Sequence, residues 1–352
     1  MNRNELIAAI KATFEIHPEG LQLKKERIEQ YEKMLGKRDG ELSSFVKPSA
    51  SGDAEVDHQR MARYVTEMYY KKLVDANRKL KRFESFIEVE YVNTHVEATR
   101  EYNIQGKSII FIDSSSMLFL WMMNKANIYR SYLTKRQSRK LHIEIFLYFT
   151  TLYQRSVYPF VYPRPKTPPH QKLELYQLLV HATEVQELFM LAHEIAHVMI
   201  NNDVRLQEKL KNFSMNDFLL SSSESLFENN ESFKTELYAD SLAFDMVLNV
   251  YDLERNNKEN TRFVSTFIFL FIRYIMWQRL VALEEINDSE FTLWFLRNSS
   301  IRRKINKVYE KWGPPTFLLD LFDEYLEVLL EPAALDAKEV LEKLKKLKKS
   351  PL

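Results

Sequence analysis

Cysteine is absent from the 352-residue sequence. That absence removes disulfides, thiolate nucleophiles and every thiolate zinc site, and it agrees with a reducing compartment. Any metal must be held by His, Asp or Glu. Glycine is almost as scarce, with six residues at Gly20, Gly36, Gly40, Gly52, Gly106 and Gly313. No phosphate-cradling loop or dinucleotide fingerprint can be written from them. Between His170 and Trp312 there is neither Gly nor Pro, and a stretch without the two strongest breakers predicts long helices joined by Ser/Asn-rich loops. Charge of one sign is also lacking: 50 basic residues against 49 acidic ones leave +1. No global field draws the chain to nucleic acid or to an anionic membrane; either partner would need a local patch, and nucleic acid is not expected. The most apolar stretch, Phe263 to Trp277, is interrupted by Arg273 and closes on Gln278 and Arg279, short of the ~20 residues that span a bilayer. It reads as a buried helix, so no membrane span is expected. Met1 to Phe14 has mixed charges and no signal-peptide pattern, which points to a cytoplasmic protein.

What is present is the composition of a globular chain: 45% hydrophobic, 28% charged and 13% aromatic. Apolar positions at helical spacing run through Gln22 to Leu35 and Val56 to Phe83, so residues 1–85 read as a helical N-terminal region. The period then shortens. Phe83, Ile87, Val89 and Tyr91 partly alternate with polar residues, and Ser108-Ile-Ile-Phe-Ile-Asp113 follows Gly106, predicting a small sheet between about Ile87 and Asp113 and a helix from Ser115 or Ser116. Five prolines between Tyr158 and His170 make a loop. The Lys-rich end from Lys338 to Lys349 reads as a solvated amphipathic helix. The fold class expected is α+β and predominantly α-helical, with the small sheet ahead of a long helix. Residues 86–331 would form the main domain and 332–352 a basic C-terminal helix or tail.

The chemistry concentrates in Leu188-Phe-Met-Leu-Ala-His193-Glu194-Ile-Ala-His197-Val-Met-Ile200, apolar except at three residues. Two histidines at i and i+4 lie one turn apart on one helix face, a spacing that lets both imidazoles reach one tetrahedral ion. A His-Glu-x-x-His pattern also arises by chance, so its setting decides. Burying two histidines and a glutamate in an apolar helix costs several kcal/mol unless something compensates, and a zinc ion does. Thirty-nine positions on, Lys234-Thr-Glu236-Leu-Tyr-Ala-Asp240-Ser-Leu-Ala-Phe-Asp-Met-Val247 places Glu236 and Asp240 again at i and i+4 among apolar residues. From a second helix Glu236 would complete two nitrogens and one oxygen around zinc, leaving a fourth position for water. Asp240 would accept the free ring N–H of a ligand histidine and fix its tautomer.

At these residues the sequence resembles the gluzincin metallopeptidases, whose pattern is His-Glu-x-x-His followed by Glu-x-x-x-Asp, here Glu236-Leu-Tyr-Ala-Asp240. The resemblance covers about residues 184–247. It implies a zincin-like core, Zn2+ held by His193, His197 and Glu236, a base and acid role for Glu194, and an orienting role for Asp240. Soluble bacterial relatives of the ImmA/IrrE and Lit types carry comparable metal helices, and the motif does not choose between them. Val92-Asn93-Thr94-His95, followed by Ile109 to Asp113, is similar to the edge strand and hydrophobic strand that such peptidases place before the zinc helix. A substrate strand is expected to pair near Tyr91 to Val96. The His-Pro…Arg segment of the prenyl-protease-like branch is matched only by Asn298-Ser-Ser-Ile-Arg302-Arg303, without the His or Pro.

The activity expected is hydrolysis of peptide bonds in an intracellular protein or peptide substrate, with Glu194 taking the proton of the attacking water and passing it to the leaving amine. Candidate oxyanion donors are Tyr238, Tyr251, Arg273, Tyr274, Arg302 and Arg303, each of which also has an ordinary structural reading. His17, His58, His142, His170 and His181 sit in no ligand-like spacing and read as surface or capping residues. His95, beside the expected edge strand, also reads first as an ordinary structural residue, with a place beside the substrate as the less favoured alternative. Two rivals remain: a regulatory or binding protein with a structural zinc, and a zinc hydrolase acting on something other than peptides. The intact Glu194 and a three-ligand set favour the open, catalytic arrangement over a closed structural one.

Overall fold

The computed structural model describes residues 54–92, 100–104, 106–153, 162–168, 172–213, 230–252, 258–282, 288–312 and 325–349. Expectations for Gln22 to Leu35, for His17, His95 and His170, and for Asn93 to Val96 lie outside these residues. The chain divides into two compact units, Met1–Leu118 and Phe119–Leu352.

In the first unit, helix α1 (Ala54–Ala76) packs on the sheet through Val65, Tyr69, Leu73 and Val74. The sequence period continues to Phe83, yet the helix ends at Ala76. Asn77 explains the difference: its backbone N–H and its side-chain Nδ2 both donate to Leu73 O, at 3.0 and 2.8 Å, and a 3₁₀ turn at Leu80–Arg82 follows. Three strands then form, β1 (Ile87–Val92), β2 (Arg100–Ile104) and β3 (Lys107–Asp113). Their order is β1-β3-β2, with β3 parallel to β1 and antiparallel to β2. The central strand is the apolar one: Ser108 through Asp113 are all buried, as a strand covered on both faces requires. At the β2–β3 turn Gly106 has φ +80°, the left-handed backbone that tight hairpins demand and that glycine adopts without strain. Helix α2 (Ser114–Ile128) starts slightly earlier than expected because Asp113 is the capping residue, accepting from Ser116 N at 2.9 Å.

The second unit is helical in all its described regular elements. They are the rest of α2, a 3₁₀ turn (Arg130–Tyr132), α3 (Lys135–Tyr153), α4 (Leu173–Asn202), α5 (Val204–Lys211), α6 (Glu231–Asp252), α7 (Lys258–Ala282), α8 (Asp288–Trp312) and, after a short π turn, α9 (Glu331–Lys349). The apolar helix read from Phe263 to Trp277 is the middle of α7, and 89% of its most apolar window is buried inside the protein. Helix α4 is also central: from Val185 to Ile200 every residue is buried except Glu194 and His197, which are partly exposed. A helix apolar on all sides is stable only when surrounded, and α6 and α7 pack against it. Truncating one of its sealed side chains, such as Leu188 to Ala, should cost about 2–5 kcal/mol. Its one deep amide is satisfied: Gln186 accepts from Asn124 Nδ2 at 2.8 Å and donates to Phe267 O at 3.2 Å, joining α2, α4 and α7. The Lys-rich end forms α9, amphipathic as expected, with Ala333, Ala334, Ala337 and Leu341 buried.

One sequence expectation needs correction here. His142 is neither a surface nor a capping residue but fully buried on α3. Its Nδ1 lies 2.8 Å from Ser138 O, one turn back, and its Nε2 lies 2.7 Å from Tyr325 Oη, next to the π turn. The distant hydroxyl makes burial tolerable, and sequence spacing could not reveal it. His181 agrees with its surface reading, its side chain being 56% exposed.

Candidate metal centre

The site is assembled by three helices, and a small apolar cluster sets two of them. On α6, Phe233 and Leu237 share a face with Glu236 and Asp240; on α8, Leu293 and Leu296 share a face with Arg297 and Ser300. Phe233, Leu237 and Leu296 are buried against one another, with Leu293 and Phe213 at the margin. This contact clamps α6 to α8 one turn from the polar groups. Lys304, two turns further along α8, ties the same pair by donating to Ser241 O and Asp245 Oδ1, both at 2.7 Å. Helix α4 brings His193, Glu194 and His197 to this frame, on a straight run that Asn202 closes by donating to Val198 O.

The donor atoms converge. His193 Nε2 and His197 Nε2 are 3.1 Å apart. Glu236 places Oε2 3.3 Å from His193 Nε2 and Oε1 3.4 Å from His197 Nε2. In a tetrahedral site with metal bonds of about 2.0–2.1 Å, neighbouring donor atoms stand about 3.3–3.4 Å apart. The triangle formed by these three residues is close enough to hold one metal ion, each Glu236 oxygen standing near tetrahedral spacing from a different histidine nitrogen. Exposure falls from the donors inward, from 26% for the Glu236 side chain and 18% for His197 to 0% for Asp240. The triangle is reachable from solvent, and its support is sealed.

That support is Asp240, whose Oδ1 lies 2.8 Å from His193 Nδ1. A carboxylate at this distance favours the proton on Nδ1, which leaves the Nε2 lone pair for a metal. Arg297 in turn holds Asp240, its Nε donating to Oδ2 at 2.7 Å and its Nη2 to Oδ1 at 2.8 Å, while Nη1 lies 3.3 Å from Glu236 Oε2. The guanidinium rests over the Trp294 ring, 4.3 Å from its centroid.

The electrostatics follow from three carboxylates gathered around one guanidinium. Burial and Arg297 both oppose a charged His193, but Asp240 and Glu236 outweigh them and raise its pKa to about 9. Burial alone would lift Glu236, yet its bonds to His193 and His197 and the charge of Arg297 hold it well below the usual carboxylate range. Asp240 is likewise depressed, burial being overcome by Arg297 and His193. Glu194 goes the other way: burial and the Glu236 charge raise it against the pull of His193, His197 and Arg297.

Of the residues singled out in the sequence, His193, His197 and Glu236 are brought together, Glu194 is within their field, and Asp240 touches His193. Three of the candidate oxyanion donors have these contacts. Tyr274 accepts from Asn127 Nδ2 at 3.3 Å within a fully buried network, the Arg273 guanidinium lies over the Phe269 ring, and the Tyr238 ring packs at a tilt on Phe213. Arg297 was missed. The segment noted in the sequence began at Asn298, one position later, and the available signal was an arginine on the apolar face of α8. No protein-family model matches this sequence, and no curated protein or solved structure matches it.

Proposed function

We propose that this chain is a zinc-dependent endopeptidase with a zincin-like core of the gluzincin kind, acting on an intracellular protein or peptide. The observation that carries the reading is the convergence of His193 Nε2, His197 Nε2 and the Glu236 carboxylate, close enough to hold one metal ion, with Asp240 beside the far nitrogen of His193. A zinc ion held there supplies a Lewis acid that polarises a carbonyl and brings the acidity of water near neutral pH.

The remaining work belongs to the side chains. Glu194, beside the first ligand on the same helix, accepts the proton of the water that attacks the peptide carbonyl and delivers it to the departing amine. Its partly buried setting, which disfavours the charged carboxylate, suits a group that must take up a proton and give it back. Asp240 keeps His193 in one tautomer and one ring orientation through both transfers. Asp240 is itself fixed by Arg297, so the pair stays aligned while charge moves at the triangle.

The test is to incubate the purified chain with cell lysate, wild type against Glu194→Gln, and to map new protein termini. Termini that appear with the wild type and not with the variant support the reading. Identical terminus profiles, with zinc bound to both proteins, would sink it.

A further inference from the structure

Arg297 divides its donors between two acids that stand in different relations to the metal triangle. Nε and Nη2 form a two-point fork on Asp240, at 2.7 and 2.8 Å, and this fork fixes the guanidinium plane. Trp294 backs that plane on one face. With the plane fixed, Nη1 reaches 3.3 Å from Oε2 of Glu236. The side chain is 9% exposed, so little water competes for these contacts. Neutralising a buried Asp240 would need the fork alone; the third contact goes further.

A glutamate beside a metal ion binds through one oxygen or through both, and the second bond occupies a coordination position. In this site the two oxygens are unlike. Oε1 lies 3.4 Å from His197 Nε2 and Oε2 lies 3.3 Å from His193 Nε2, but only Oε2 also has a fixed cation beside it, Arg297 Nη1 at 3.3 Å. A metal ion drawing on Oε2 as well would pull that oxygen from Arg297 and approach a like charge in a poorly solvated place. We propose that Arg297 is a positioning residue that confines Glu236 to a single-oxygen bond with the metal, keeping one coordination position open for water or substrate. The proposal rests on the zinc-site reading above. Lysine cannot substitute, because one ammonium cannot grip both oxygens of Asp240 and reach Glu236 at the same time.

The test uses the full chain loaded with cobalt(II), read by its visible ligand-field absorption and by X-ray absorption coordination number. Wild type is compared with Arg297→Lys, Arg297→Met and the double variant Arg297→Met/Asp240→Asn. The double variant removes both members of the buried charge pair while leaving an acceptor for His193 Nδ1, so it carries the decision where a single substitution does not fold. Wild type should be four-coordinate. Each variant should shift toward five, with visible absorption falling roughly two-fold or more as tetrahedral character is lost. An unchanged four-coordinate spectrum in the folded variants would overturn the role of Arg297 and leave the metal site standing. A wild type that takes up neither cobalt nor zinc would overturn the site reading, and this inference with it.

Discussion

His142 and His193 are both buried on long helices of the same unit, and their surroundings send their protons in opposite directions. Burial holds His142 down to a pKa of about 4; its bond to Ser138 O works against that, and Arg130 adds to it. Around it are a carbonyl and the Tyr325 hydroxyl, groups that suit a neutral ring. His193 is buried nearly as deeply, but Asp240 and Glu236 raise it to about 9. Burial by itself therefore says nothing about function. A histidine among neutral partners is a packing element, and one among carboxylates is poised to exchange its proton for a metal.

Four experiments sharpen or break this contrast. The largest effect belongs to the ligands: His193→Ala, His197→Ala or Glu236→Ala should abolish stoichiometric zinc binding, measured by metal analysis, whereas His142→Gln should leave it unchanged. If Glu236→Ala keeps its zinc and Asp240→Ala loses it, the third ligand is Asp240. Next, Glu194→Gln should bind zinc normally while hydrolysis of any identified substrate falls at least ~10²-fold; loss of zinc in this variant would make Glu194 a ligand instead. Asp240→Ala, which removes the partner of His193 Nδ1 and also leaves the Arg297 fork without its acceptor, should weaken zinc affinity about 10- to 100-fold by chelator competition.

The smallest effect is the pH dependence of stability from His142. Its folded pKa of about 4 lies below the unfolded value of 6.5, so between those values the unfolded chain binds the proton and the folded one does not. Stability from this group is complete above pH 6.5 and is lost as pH falls toward 4. Between pH 7 and pH 5 it should cost about 2 kcal/mol, read as the difference in urea unfolding between wild type and His142→Gln. Equal pH slopes for the two proteins would show that the ring is not held neutral.

How much of this was legible in the sequence depended on the range of the cause. The sheet limits at Ile87 and Asp113 follow from local period and were read to within a few residues, and missing breakers made the helical character of the stretch after His170 legible, though not the ends of its helices. The pairing of His193 with His197 was legible for a similar reason, since i,i+4 pairs declare a shared face, while Glu236 was joined to them through the gluzincin resemblance. The end of α1 at Ala76 was not legible, because one side chain, Asn77, overrides a period that runs on to Phe83. His142 depends on a hydroxyl 183 positions away and Arg297 on an acid 57 positions away. Neither distance leaves a trace in spacing. What the sequence did hold was weaker: a histidine and an arginine on helix faces otherwise given to core packing.

The most direct test of the central claim is a zinc titration of the metal-free full chain against a competing chelator, beside the His193→Ala/His197→Ala double variant. One zinc per wild-type chain, and none held by the variant at the same free zinc, is the result predicted. A wild-type chain that takes up no zinc, or a variant that takes up as much, would contradict it.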